Sequence, residues 1–124
     1  MPPTRLVLYR EADGSVPLLD WLDELVPKAR AKCRVRLERL AELSHELRRP
    51  EADFLRDGIY ELRVKQAGMN YRMLYIFHGT QAVVVSHGFS KQEARVPSRE
   101  IEIATRRKKA FEAGPEVHTH TEDS

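Results

Sequence analysis

The sequence predicts a small α+β domain in the order β-α-α-β-β-β-α, with a small antiparallel sheet, an N-terminal helical hairpin and a C-terminal helix. Three observations point there. Pro17 and Pro27 each open a stretch with helical apolar spacing. Three β-branched and aromatic runs follow one another between Ile59 and Phe89, separated by short Gly-containing gaps. A last amphipathic stretch begins after Pro97.

Arg5 to Glu11 (RLVLYRE) reads as a first strand that Asp13-Gly14-Ser15 breaks. Pro17 then sits in the first turn of a helix with apolar Leu18, Leu19, Trp21, Leu22 and Leu25. Pro27 ends it and opens a second helix, from about Lys28 to Leu47, with a stripe of Cys33, Leu37, Leu40 and Leu47. Arg48 to Gly58, with Pro50 and Asp57-Gly58, reads as a loop. Ile59–Lys65, Tyr71–His78 and Ala82–Phe89 read as an antiparallel meander with turns at Ala67-Gly68 and Gly79-Thr80. Ser98 is the expected N-cap of the last helix, which carries Ile101, Ala104, Lys108 and Phe111 on one stripe. One domain is expected over 1–113 and a flexible polar tail over 114–124. His118 and His120 lie in that tail without the carboxylate or cysteine cluster that a metal site needs.

The 124 residues, 41% hydrophobic and 32% charged, suffice for one core. No apolar run approaches the roughly 18 residues of a membrane span. The N-terminus lacks an apolar secretory stretch. A single cysteine, Cys33, allows no intrachain disulfide. A cytoplasmic protein with no membrane partner is expected. Net charge is only +2, but between Lys28 and Arg49 eight bases face three acids, Glu38, Glu42 and Glu46. Such a stripe is either a footprint for phosphate or a solvated helix face. No Ser-His-Asp order, Gly-rich phosphate loop, metal spacing or glycosidase-like acid pair stands out.

Strand register carries the sharpest inference. With turns of two or four residues, Lys65 stands opposite Asn70, Arg63 opposite Arg72, His78 opposite Gln81 and Arg72 opposite His87. Arg63, Arg72 and His87 then form one row on one face, and an odd turn displaces a member. The other face carries Tyr60, Leu62, Val64, Tyr71, Met73, Tyr75, Phe77 and Val84 and should pack on the helices. The row's own face carries Ile59, Ile76 and Val83 at its far end. Like charges directly opposite each other destabilise a sheet by up to about 1 kcal/mol. The row therefore asks for a bound anion, or for a neutralising Glu61, Glu93 or C-terminal carboxylate. Lys91 and Arg95 extend the positive patch. Phe89 is either core or a stacking surface for a base.

The strings Ile59-Tyr60-Glu61-Leu62-Arg63, Tyr71-Arg72-Met73-Leu74-Tyr75, His87-Gly88-Phe89-Ser90-Lys91 and Pro97-Ser98-Arg99-Glu100-Ile101 follow in that order. The pattern resembles the HigB-like, phage-associated branch of the RelE/ParE toxin superfamily, from the first helix to about Phe111. The resemblance implies a RelE-like fold and the toxin of a type II toxin–antitoxin pair. Typical members are metal-independent endoribonucleases, or mRNA interferases, that cleave mRNA on the ribosome and so inhibit translation. No cofactor is implied. The implied partners are a cognate helix-turn-helix antitoxin, the ribosome and mRNA. Arg72 matches the family's transition-state arginine, Arg63 and Lys91 match basic positions, and His87 is the implied acid or base. Arg34 and Arg36 of the basic helix, with Arg95 and Phe89, are the candidate RNA contacts. The chain departs from the pattern at Gln92, where a second lysine is common, and at Arg95, which replaces lysine. It has no tyrosine between Phe89 and Ala110. A gyrase-poisoning relative without nuclease activity and an inactive phage-derived binding module stand as alternatives. Arg72→Ala is expected to abolish toxicity and spare the fold.

Overall fold

A computed structural model describes residues 4–91 and 95–122. Its strands are β1 (Arg5–Tyr9), β2 (Ala52–Arg56), β3 (Ile59–Gln66), β4 (Met69–His78), β5 (Ala82–Lys91) and β6 (Thr119–His120). They form one sheet in the order β2-β3-β4-β5-β1-β6. Pairing is antiparallel except between β1 and β5. Helices α1 (Pro17–Glu24) and α2 (Pro27–Leu43) cover one face, and α3 (Ser98–Ala113) covers the other. The α+β class and the three consecutive antiparallel strands are as the sequence predicts. No helix is long and apolar enough to cross a membrane, among the described residues.

Alternation along the strands builds the layers. Leu62, Val64, Met73 and Tyr75 are buried with Leu18, Leu22, Leu37 and Leu40 of the helical pair. On the opposite face Ile59, Leu74 and Ile76 pack with Ile101, Ala104 and Phe111 of α3. Each fully buried aliphatic side chain contributes about 1.5–3 kcal/mol, so the sheet is held from both sides.

Three segments depart from expectation. Helix α2 stops at Leu43, because Ser44 takes a positive φ of 52° and a single 3-10 turn, Ser44–Glu46, follows. The expected loop 48–58 contains β2. Asp57-Gly58, read as a breaker, is its two-residue hairpin loop, with both φ positive at 54° and 77°, the backbone of a type I′ turn. Strand β2 hides in the sequence because its alternation is short: Ala52 and Phe54 pair with Leu62 and Tyr60, and a bulge after Phe54 sets Arg56 opposite Ile59, on the face of Asp53. The polar tail, expected to fray, supplies β6 against β1. His118 stacks on Tyr9 with ring centroids 4.9 Å apart, and Arg10 Nε donates to the Val117 carbonyl at 3.1 Å. Ser98 is the first residue of α3 rather than its cap.

Register holds on one side of β4 and shifts on the other. Ala67-Gly68, with φ of 52° and 78°, closes β3 onto β4 and sets Lys65 opposite Asn70 and Arg63 opposite Arg72. The link from β4 to β5 has three residues, so His78 pairs with Ala82 rather than Gln81. That odd length puts Val83 in the helical-pair core and Val84 in the α3 core, the reverse of the expectation. A bulge then skips Ser86: Tyr75 pairs with Val85, and Leu74 with His87. His87 is thereby returned to the face of Arg72, but the partner of Arg72 is Phe89.

Gly88 is required by helix α1. A Cβ there would lie 2.2 Å from Cε3 of Trp21, whose indole crosses β5 at that point. Gly88→Ala is expected to cost about 1–3 kcal/mol through this overpacking. The measurement is the denaturant midpoint at unchanged slope, and a midpoint equal to the parent's would show the indole free to move.

Candidate functional site

The site grows from one charged pairing. Arg63 and Arg72 face each other across β3 and β4, on the face that α3 covers further along. Two positions before Arg63, Glu61 lies on the same face and is 0% exposed. From there it reaches both guanidiniums, one along its own strand and one on the diagonal. Arg72 Nη1 donates to both Glu61 carboxylate oxygens at 2.7 Å. Arg63 Nε donates to Glu61 Oε1. The neutraliser of the pair is thus the carboxylate of the Tyr-Glu-Leu-Arg string itself; Glu93 lies outside the described residues.

Strand β2 adds a second carboxylate. Asp53 stands opposite Glu61 and takes a hydrogen bond from Arg49 at 2.7 Å, with Arg63 Nη2 3.6 Å away. The Arg49 hydrogen bond, ahead of its charge and that of Arg63, holds the Asp53 carboxyl below its ordinary range. Glu51 is lowered by Arg39 in the same way. Arg36 sends Nη1 to the Arg63 carbonyl and Nε to Glu51 at 3.4 Å. Five guanidiniums (Arg36, Arg39, Arg49, Arg63, Arg72) therefore converge on three carboxylates. Beside them opens a cleft of about 350 Å³ whose wall includes Arg36, Glu51, Arg63, Lys65, Asn70 and Arg72. Arg72 is 5% exposed, whereas the Arg63 side chain keeps 37% of its surface open. Of the two arginines on Glu61, Arg63 is the more open.

Of the residues singled out from sequence, Arg36, Arg63 and Arg72 come together in this cleft. The others are placed elsewhere. Arg34, two residues from Arg36, pairs with Glu122 at 2.7 Å near the end of the chain. Phe89 is buried in the α3-side core and packs rather than offering a stacking face. Arg95 is exposed at the approach to α3. The backbone of Lys91 pairs with Asn70 at the cleft's end of β5. Lys65, Asn70, Tyr71, Glu51 and Asp53 were not foreseen. The Asp57-Gly58 hairpin signal alone would have set Phe54 opposite Glu61; a bulge between Phe54 and Arg56 shifts the register by one and brings Asp53 there.

His87 belongs to a different network. Its Nδ1 lies 2.8 Å from Ser86 Oγ and its Nε2 3.0 Å from Glu100 Oε1 on α3. Arg107 donates to the Ser86 carbonyl at 3.3 Å and to Glu11 at 3.1 Å. This serine–histidine–carboxylate string escapes a sequence search because Ser86 and His87 are neighbours and the bulge makes them meet. Ser86 and His87 are 3% and 8% exposed, so the string binds α3 to the sheet and presents no nucleophile. Among the described residues no three His, Cys, Asp or Glu side chains cluster as metal ligands.

Burial pushes the His87 imidazole below its ordinary 6.5; the Glu100 hydrogen bond opposes this and the Arg107 charge adds to it. The unfolded chain therefore binds a proton here before the folded chain does. The contribution is present above about pH 6.5 and is lost as pH falls below it. The urea midpoint is expected to drop between pH 7.5 and 5.5, and less so in His87→Gln; equal slopes in both proteins would contradict a buried neutral imidazole. Arg72→Ala leaves Glu61 buried with Arg63 alone. It is expected to cost about 3–5 kcal/mol in a thermal or urea melt, far more than the half-open Arg63→Ala. The sequence-level expectation that Arg72→Ala spares the fold gives way to this.

The family model described as "Phage derived protein Gp49-like (DUF891)" matches residues 20–109. That span runs from α1 through most of α3 and contains the cleft. No curated protein matches the chain. The arrangement of three helices and a six-stranded, mostly antiparallel sheet is compatible with a RelE-like fold. The chain belongs to the Gp49-like family of phage-derived proteins, a RelE/toxin-like family.

Proposed function

We propose that the protein is the toxin of a type II toxin–antitoxin pair, of the HigB-like branch, and that it stops translation in the cytoplasm as a metal-independent mRNA endonuclease on the ribosome. The observation that carries this reading is the convergence of Arg36, Arg63, Arg72 and Lys65 on one open cleft. Surplus guanidinium at a site that folding alone would leave neutral suits a phosphodiester. Family membership supports the toxin class.

In the proposed reaction the ribose 2′-hydroxyl gives its proton to solvent water and attacks the adjacent phosphorus; the bond to the 5′-oxygen breaks and that oxygen takes a proton from water, giving a cyclic phosphate and a 5′-hydroxyl end. Arg63 exchanges its 3.6 Å contact with Asp53 for a phosphate oxygen. Arg72, held by Glu61 against the cleft wall, stabilises the charge that develops on the phosphate. Lys91, at the end of β5, supplies a further cation. His87 has both ring nitrogens engaged and acts by fixing α3, not by moving the proton. A helix-turn-helix antitoxin neutralises the protein by covering the cleft.

The locked Arg72–Glu61 pair and the engaged His87 favour a second reading, a gyrase-poisoning toxin without nuclease activity. Induction without a partner separates the two. The endonuclease reading expects amino-acid incorporation to fall first and primer extension to reveal new mRNA 5′ ends. Stalled DNA replication with unchanged incorporation would establish the second reading. Arg63→Ala, which keeps the Glu61–Arg72 pair, is expected to lower cleavage by roughly 100- to 1000-fold; wild-type cleavage by this variant would remove the cleft from the mechanism.

A further inference from the structure

The segment 48–53 borders two clefts. Pro50 and Glu51 line the cationic one, while Arg48, Arg49 and Asp53 line a second of about 530 Å³. The second cleft is walled by rings. Phe54 meets Tyr60 edge-on at 5.1 Å, Tyr60 stacks on Tyr75 at 5.4 Å, and Phe77 closes the group edge-on to Tyr60 at 5.1 Å. One of these rings is exposed, and another brings a hydroxyl to the cleft wall. Phe54 is 52% exposed on the edge strand, where its ring adds little to either core. Tyr75 is a core residue, 1% exposed, that also lines the cleft. Burial, with Tyr60, Asp53 and Glu61 nearby, raises its pKa and keeps it protonated, a donor at the wall of the cleft.

The rim is cationic. Arg48 is exposed, and the Arg49 side chain is 74% exposed with one contact to Asp53. Asp53 also neighbours Arg63, so one carboxylate bridges the arginines of the two clefts. Flat rings, a buried donor and guanidiniums at the rim match the parts of a nucleotide: face, edge and phosphate. An aliphatic peptide side chain would use the rings but neither the donor nor the rim.

We propose that this cleft holds an unpaired nucleobase of the RNA strand whose phosphate occupies the Arg63 cleft, with the base stacked on Phe54 and Tyr60, its edge on the Tyr75 hydroxyl and its phosphate on Arg48. The proposal rests on the RNA reading above and names a subsite for it. Sequence alone hides the subsite because β2 is not legible there.

The test uses the purified full chain and a fluorescent 2′-O-methyl RNA hexamer, which cannot be cleaved, beside a hexamer with the same backbone and no bases. The parent is expected to prefer the base-bearing strand. Phe54→Ala is expected to weaken that strand by roughly 5- to 150-fold and to leave the abasic strand unchanged. Tyr75→Phe, which keeps the ring, is expected to weaken the base-bearing strand to a smaller degree at an unchanged melting temperature. Equal binding of both strands by the parent overturns the proposal. So does a Phe54→Ala protein that binds like the parent, or one that fails only in holding the antitoxin, which would make the cleft a protein-docking site. Base-dependent binding without translational arrest on induction would keep the subsite and discard the ribosomal reading; arrest with equal binding of both strands would do the reverse.

Discussion

Glu61 is a carboxylate with no exposed surface, and the arginine-rich end of the sheet is arranged around it. An isolated buried charge costs several kcal/mol, so Arg63 and Arg72 are bound to it before they are available to anything else. The constraint reaches further than the pair. Asp53 on β2, Glu61 and Arg63 on β3 and Arg72 on β4 must all arrive in register. A slip of one residue would turn Glu61 into the apolar layer beneath α1 and α2. Charge thus fixes the pairing of three strands where the alternation of β2 is too weak to do so. The same locking leaves Arg63, the more open arginine, as the group that answers to the surroundings.

A second polar network does similar work at the other end of the α3 face. The odd turn between β4 and β5 would put His87 among the aliphatic side chains of the helical-pair core. The bulge at Ser86 reverses this and aims the ring at Glu100. Ser86, His87, Glu100 and Arg107 then tie α3 to β5, beside the apolar contacts of Ile101, Ala104 and Phe111. The two networks share a face but not a function: one is open to a cleft and the other is sealed beneath a helix.

These differences mark what was legible in the sequence. The helices, the three-strand meander and the Arg63–Arg72 pairing were, because Pro17, Pro27 and Ala67-Gly68 are local signals. Glu61 was among the possible neutralisers, since it shares the parity of Arg63. The register of β5 was not legible. Gly79-Thr80 signals a turn without fixing its length, and a bulge leaves no side-chain signature. Strand β2 was missed because a five-residue edge strand interrupted by a bulge carries too short a hydrophobic period, and Asp53 and Phe54 were missed with it. The tail's pairing with β1 rests on backbone bonds and a histidine stack, which composition does not report.

The sheet order also sets a timetable. Strands β2 to β5 join through successive short turns, so the cleft is assembled from contacts close in sequence. β1 is the first strand made, yet Arg5 pairs with Ala82 and Leu8 with His120. At ribosomal rates of about 5–20 residues per second, β1 waits roughly 4–15 s for β5, and β6 comes later still. Closing so long a loop is the slow part of the topology. The cationic end of the molecule can therefore be in place while the other margin of the sheet is still incomplete.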